Sequence, residues 1–144
     1  MRGLLNVNVL IALIDADHTF HERAHKWLAK NVKHGWASCP LTENAVVRIM
    51  SNPNYFSSIR HTPQDLIGRL GTFIEHVDHR FWPDDISLRD LKIFAADRIH
   101  GPRQLTDLYL LALAAKYQGR LVTFDQGISL SAVNGAAAKN LCVV

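Results

Sequence analysis

Four polar residues fall at the ends of apolar runs in this 144-residue chain. Asn6 closes the first run, Glu43 comes early in a helical pattern, Asp107 follows Thr106 at a helix start, and Asp125 directly follows the run Arg120 to Phe124. Carboxylates brought together repel and raise one another's pKa, so a stable cluster of them serves as a cation site. Oxygen-only ligands select hard ions such as Mg²⁺ or Mn²⁺, which keep waters and contact substrate phosphates. The chemistry on offer is metal-assisted phosphodiester hydrolysis, in which the ion lowers the pKa of a water and neutralises charge on phosphorus. The same residues also have plainer uses: Asp107 complements a helix dipole, and Glu43 suits a solvated helix surface.

Two other constellations compete. His21-Glu22-Arg23-Ala24-His25 spells the His-Glu-x-x-His of zinc peptidases, with His18 the nearest third ligand. Arg23 and Lys26 break the uncharged surroundings of that pattern, and a solvated helix face over Phe20, Ala24 and Leu28 accounts for the same residues. Asp84-Asp85 reads either as an acid–base pair or as a polar turn into Ser87.

The elements that must position these groups follow from the apolar spacing. Leu4 to Val7 reads as a buried strand, with Asn8 capping a helix through Ile14. Asp17 suits the cap of a second helix with Phe20, Ala24, Trp27, Leu28 and Val32 inward, ending before Gly35. Trp36 to Cys39 is a strand stopped by Pro40, and Leu41 to Met50 a helix. Thr62-Pro63 opens a helix to about Val77, Arg80 to Trp82 is a strand, and Ser87 caps a helix through Ile99. Thr106 opens the next helix, and strands at Arg120 to Phe124 and Leu141 to Val144 complete the pattern. Alternating helices and wholly apolar strands predict an α/β fold of three layers around a mainly parallel sheet. Right-handed crossovers then gather Asn6, Glu43, Asp107 and Asp125 on one rim.

Composition sets the outer bounds. With 48% hydrophobic residues, residues 1–144 suit one domain with a sizeable core. The longest uncharged apolar stretch, Val7 to Ile14, falls far short of the roughly 20 residues that span a bilayer, and no signal peptide is expected. Cys39 and Cys142 in apolar surroundings suit a reducing cytoplasm. A net charge of +3 accommodates a polyanion, and the basic residues are dispersed.

Taken in order, "LLNVNVLIAL", "CPLTENAVVRIMS", "FWPDD", "RQLTDLYLLALA" and "GRLVTFDQGI" resemble the PIN-domain family, in particular the VapC toxins of bacterial toxin–antitoxin pairs. The resemblance covers nearly the whole chain. It implies a PIN-like fold and a cytoplasmic endoribonuclease dependent on Mg²⁺ or Mn²⁺, often a homodimer, held silent by a small cognate antitoxin of the VapB type. By that likeness the catalytic and metal positions are Asn6, Glu43, Asp107 and Asp125, supported by Asn8 and Thr106. Arg48, Arg103 and Arg120, read from the order of elements as lying near the rim, are candidates for holding RNA phosphates or antitoxin carboxylates. Position 6 departs from the pattern, which has aspartate there. An amide offers one neutral oxygen and removes a unit of charge, so weaker metal binding and a large loss of hydrolysis are expected. The alternative is a silenced domain that binds RNA or antitoxin without efficient cleavage.

Overall fold

The structure, a computed structural model, describes residues 1–144. Three-residue strands β1 (Gly3–Leu5), β2 (Trp36–Ser38), β3 (His79–Phe81) and β5 (Leu141–Val143) join the slightly longer β4 (Arg120–Thr123) in one sheet. The order is β3-β2-β1-β4-β5, and every neighbouring pair is parallel. Side chains of consecutive strand residues point to opposite faces, which sorts the apolar residues into two cores. Leu4, Ala37 and Leu121 pack on one face, while Leu5, Trp36 and Val122 pack on the other.

Helices α1 (Val7–Ile14), α2 (His21–Asn31), α3 (Pro40–Met50) and α4 (Pro63–His76) supply the second core through Val9, Leu10, Leu28, Val46 and Leu66. Helix α5 (Leu105–Lys116) fills the first core through Leu108, Leu110, Leu111 and Leu113. It is apolar nearly all round because the sheet covers one side and Phe94, Ala132 and Val133 cover the other. The three-layer α/β arrangement read from the sequence is borne out.

Several local readings are corrected. Ser87 to Ile99 is not an α-helix but a series of turns ending in a short 3₁₀ segment, Ala96–Arg98. Ser87 and Asp90 side chains accept from Arg89 and Lys92 amides, and the Ala95 amide and Ile93 carbonyl pair with Ala132 and Asn134. Those pairings use the groups a helix would need. Asp17 does not cap α2. Its carboxylate receives the Ser58 hydroxyl, and α2 starts after Phe20 with no side-chain cap. Phe20 and Val32, expected inward, are exposed. Strand β3 begins one residue earlier than expected, because His79 pairs with Trp36 and the Trp36 amide donates to the Asp78 carbonyl.

Candidate active site

Parallel pairing brings the ends of β1 and β4 together, and the start of α5 meets them there. Asn6, 5% exposed, sits at the end of β1 and caps α1. Its Oδ1 accepts from the Val7 amide at 2.7 Å, which fixes the amide's orientation because a backbone N–H can only donate. The Asn6 Nδ2 therefore faces the site, donating to Asp107 Oδ1 at 2.9 Å and to Thr123 Oγ1 at 3.0 Å. Asn8, expected as the cap, instead lies in the first turn, and its Nδ2 donates to Thr123 Oγ1 at 3.3 Å. The Asn8 Oδ1 is buried with no hydrogen-bond partner.

Asp107 lies in the first turn of α5 and is half-buried. Burial pushes its carboxyl above the ordinary carboxylate range, the Asn6 amide opposes the rise, and the neighbouring Asp125 charge adds to it. Asp125 follows β4. Its amide donates to Thr123 Oγ1 at 3.1 Å and its Oδ1 accepts from the Gly127 amide at 2.7 Å. A β-carbon at Gly127 would stand 3.3 Å from that oxygen, so any larger residue crowds the carboxylate. Asp107 and Asp125 line a cavity of about 140 Å³ with Arg103, Gln104 and Ser129.

Glu43 stands apart. Its Oε1 receives the Ser38 hydroxyl at 2.6 Å, and it makes no hydrogen bond to Asn6, Asp107 or Asp125. Ser38 Oγ also meets His79 Nε2 at 2.8 Å. The single serine proton goes to Glu43, so the imidazole is the donor to Ser38. Burial and the nearby Arg2 keep the His79 pKa below its ordinary value, which makes Nε2–H of the neutral ring that donor. The relay His79–Ser38–Glu43 holds the carboxylate toward β2, so no group of three or more His, Cys, Asp or Glu side chains able to hold a metal is formed.

The site thus unites Asn6, Asp107 and Asp125 through a residue the sequence reading missed, Thr123. Its signal lies in "LVTFD": a polar residue at the end of the apolar strand β4, two residues before Asp125. Thr106, expected to help hold the carboxylates, is exposed and makes no side-chain hydrogen bond, and α5 is entered through the 3₁₀ turn Pro102–Gln104. Arg103 reaches the cavity. Arg48 is exposed in the last turn of α3, away from the helix start. Arg120 begins β4 at the opposite end of the strand, where it donates to Asn31 Oδ1 at 2.7 Å and lies over Trp27. It is not a rim residue.

The zinc-peptidase reading of His21 and His25 is also corrected. His21 Nδ1 and His25 Nε2 lie 2.7 and 3.0 Å from the carbonyls of Ala12 and Leu13, tying α2 to the last turn of α1. Asp84 and Asp85 are structural: Asp84 accepts from the Leu41 amide, and Asp85 pairs with Lys116 at 2.8 Å and with the Tyr117 hydroxyl at 2.7 Å.

Asp107→Asn tests the electrostatics. A carboxyl whose pKa is raised by folding binds more protons in the native than in the unfolded state. Stability is therefore lost as pH rises from the unfolded pKa through the raised native one. The amide keeps the oxygen that receives Asn6, so Asp107→Asn is expected to raise stability at neutral pH and to flatten that pH dependence. Chemical denaturation across the acidic range reads both effects.

Comparison with known proteins fits this arrangement. The PIN domain family model matches residues 4–134. The chain is 47% identical over 146 aligned positions to Ribonuclease VapC44 of Mycobacterium tuberculosis, covering 100% of both chains. It is 42% identical to Ribonuclease VapC39 of the same organism, over 94% of this chain and 96% of that one. In fold it is similar to VapBC2 from Rickettsia felis, solved bound to a DNA fragment from their promoter, with a TM-score of 0.55 and 14% identity over 88% and 90% of the two chains. The family match spans both strand ends and the helix start that carry Asn6, Asp107 and Asp125, and with the full-length likeness to the mycobacterial proteins it makes this chain a PIN-domain protein of the VapC family.

Proposed function

We propose that this chain is a single-domain endoribonuclease of the VapC type whose cation site is Asp107 and Asp125, weakened by the amide of Asn6. The observation that carries this reading is the Asp107–Asp125 pair, in which one carboxyl is pushed up by burial and by its neighbour's charge. A hard divalent ion held by two carboxylates and waters relieves that repulsion, and the unpartnered Asn8 Oδ1 adds to the surplus of acceptors. The residues therefore fit Mg²⁺ or Mn²⁺ at Asp107 and Asp125, although Asn6, as oriented, offers hydrogens and not an oxygen. Such an ion would supply charge neutralisation at phosphorus and a more acidic water.

The chain's own groups do the positioning. Thr123 and Gly127 fix Asp125, Asn6 fixes Asp107, and Arg103 beside them is placed to pair with a phosphate. Glu43, in the first turn of α3 and held by Ser38 of β2, has a supporting role. A cognate VapB-type antitoxin, a homodimer and a cytoplasmic setting belong to the same reading. No helix is long and apolar enough to cross a membrane.

A second reading, binding without efficient cleavage, is favoured by the Asn6 amide, which meets Asp107 through its hydrogens where a cation would need an electron pair. One assay separates the two. Asn6→Asp should cut members of a broad RNA panel in Mg²⁺ or Mn²⁺ and stop in EDTA. Measurable cutting by the original chain supports the weakened enzyme, and cutting by the substituted chain alone supports the silenced one. No product from either form on any RNA overturns the ribonuclease reading.

A further inference from the structure

A second surface adjoins the acidic site. Arg23, Lys26 and Lys30 recur at i, i+3 and i+7 along α2 and line a groove of about 620 Å³ between that helix and the exposed edge of β5. Glu22 is the one carboxylate side chain in its lining, so the groove keeps a positive balance. Its upper end is built of aromatic rings. Phe20, 38% exposed, packs 4.9 Å from Phe124, and the Arg23 guanidinium lies 5.4 Å from the first ring and 5.8 Å from the second. Arg23 is further fixed by donating to the Val144 carbonyl, which leaves other N–H groups of its fork free. Phe124, against which Phe20 packs, immediately precedes Asp125, so this end of the groove lies one residue along the chain from the acidic pair.

Cations spaced along a helix suit phosphates, and an exposed ring beside them suits an unstacked base. Arg23 to Lys30 spans seven residues, about 10 Å at 1.5 Å per residue, which lets the three cations reach successive phosphates of an extended strand. The exposed ring offers a flat face on which an unstacked base can stack, and a paired base cannot reach it.

We propose that this groove carries a single-stranded stretch of the RNA substrate next to the scissile bond, with Arg23, Lys26 and Lys30 on its phosphates and Phe20 against a base. The inference rests on the ribonuclease reading, and its test is chosen to fail separately.

The test is fluorescence anisotropy of a labelled single-stranded RNA in EDTA across a salt series. Each phosphate contact on a single strand contributes about 0.7 to the slope of log K against log salt, so Arg23→Ala/Lys26→Ala/Lys30→Ala should lower that slope by about 2 and affinity at low salt by tenfold or more. Lys26→Glu/Lys30→Glu, which leaves the Arg23 contacts intact, should weaken binding comparably. Phe20→Ala should cost about tenfold with the slope unchanged. The charge-matched control Arg80→Ala/Arg89→Ala/Lys92→Ala, on exposed residues outside the groove, should leave the slope as it was. RNA binding indifferent to the α2 changes, an equal loss in the control, or displacement from this face by polyglutamate but not by RNA would each overturn the inference and leave the ribonuclease reading standing. If no RNA is bound or cut by any form, Asn6→Asp included, both fall.

Discussion

Asn6→Asp is expected to melt below the original chain in EDTA and to recover that loss when Mg²⁺ or Mn²⁺ is added. The original amide donates to both Asp107 and Thr123, whereas a carboxylate in its place can only accept. The Thr123 hydroxyl can turn to donate, but an ionised Asp107 cannot, and two carboxylate oxygens would then face each other near 2.9 Å. A lost buried hydrogen bond costs about 1–3 kcal/mol, and the added like charge deepens the loss by pushing Asp107 higher still. The helix cap survives, because aspartate receives the Val7 amide as well as asparagine does. For a chain of this size the cost corresponds to a fall in Tm of roughly 2–10 °C. A cation bound to the native state alone returns about 2.7 kcal/mol at a concentration of a hundred times Kd. The original chain, one negative charge short, should show a much smaller metal-dependent rise. Thermal melts followed by circular dichroism, with and without the ion, read both halves. Equal melting of the two chains in EDTA would contradict the orientation assigned to Asn6.

The second large effect belongs to the carboxylates themselves. In the Asn6→Asp background, Asp107→Asn or Asp125→Asn should each lower kcat/KM for RNA by roughly 100-fold or more, since each removes charge that must neutralise the developing phosphorane. Combining the two should cost little beyond either alone, as groups acting as one unit are not additive. Glu43→Gln should cost less, about tenfold, because Glu43 hydrogen-bonds Ser38 and has no direct bond to the acidic pair. Single-turnover cleavage of one chosen RNA gives all the ratios. Equal losses at Glu43 and Asp107 would mean that Glu43 swings away from Ser38 to join the site.

What the sequence made legible was whatever strand alternation and chain order dictate. Leu4, Leu121 and Val122 read as buried strand residues and are so, and the rim that unites Asn6, Asp107 and Asp125 follows from parallel strands with helical crossovers. What was not legible depends on side chains far apart in sequence. Asn6 and Asn8 are equally good caps by type, and only the position of the Val7 amide against the end of β1 selects Asn6. The helical spacing of residues 87–99 is real, but pairing of residues 93–95 with 132–134 outcompetes it. Arg120 was assigned to the rim although it opens its strand, and a parallel strand has its two ends on opposite sides of the molecule. The direction of Glu43 is set by Ser38 and His79, which no local motif connects to it.

The central claim is that the amide at position 6 limits an otherwise competent ribonuclease site. Its most direct test is the single-turnover cleavage rate of the original chain and of Asn6→Asp, side by side on the same RNA at saturating Mg²⁺. A gain of roughly 100-fold or more on restoring the carboxylate, abolished by EDTA, is the expected result. Equal rates for the two chains would contradict the claim.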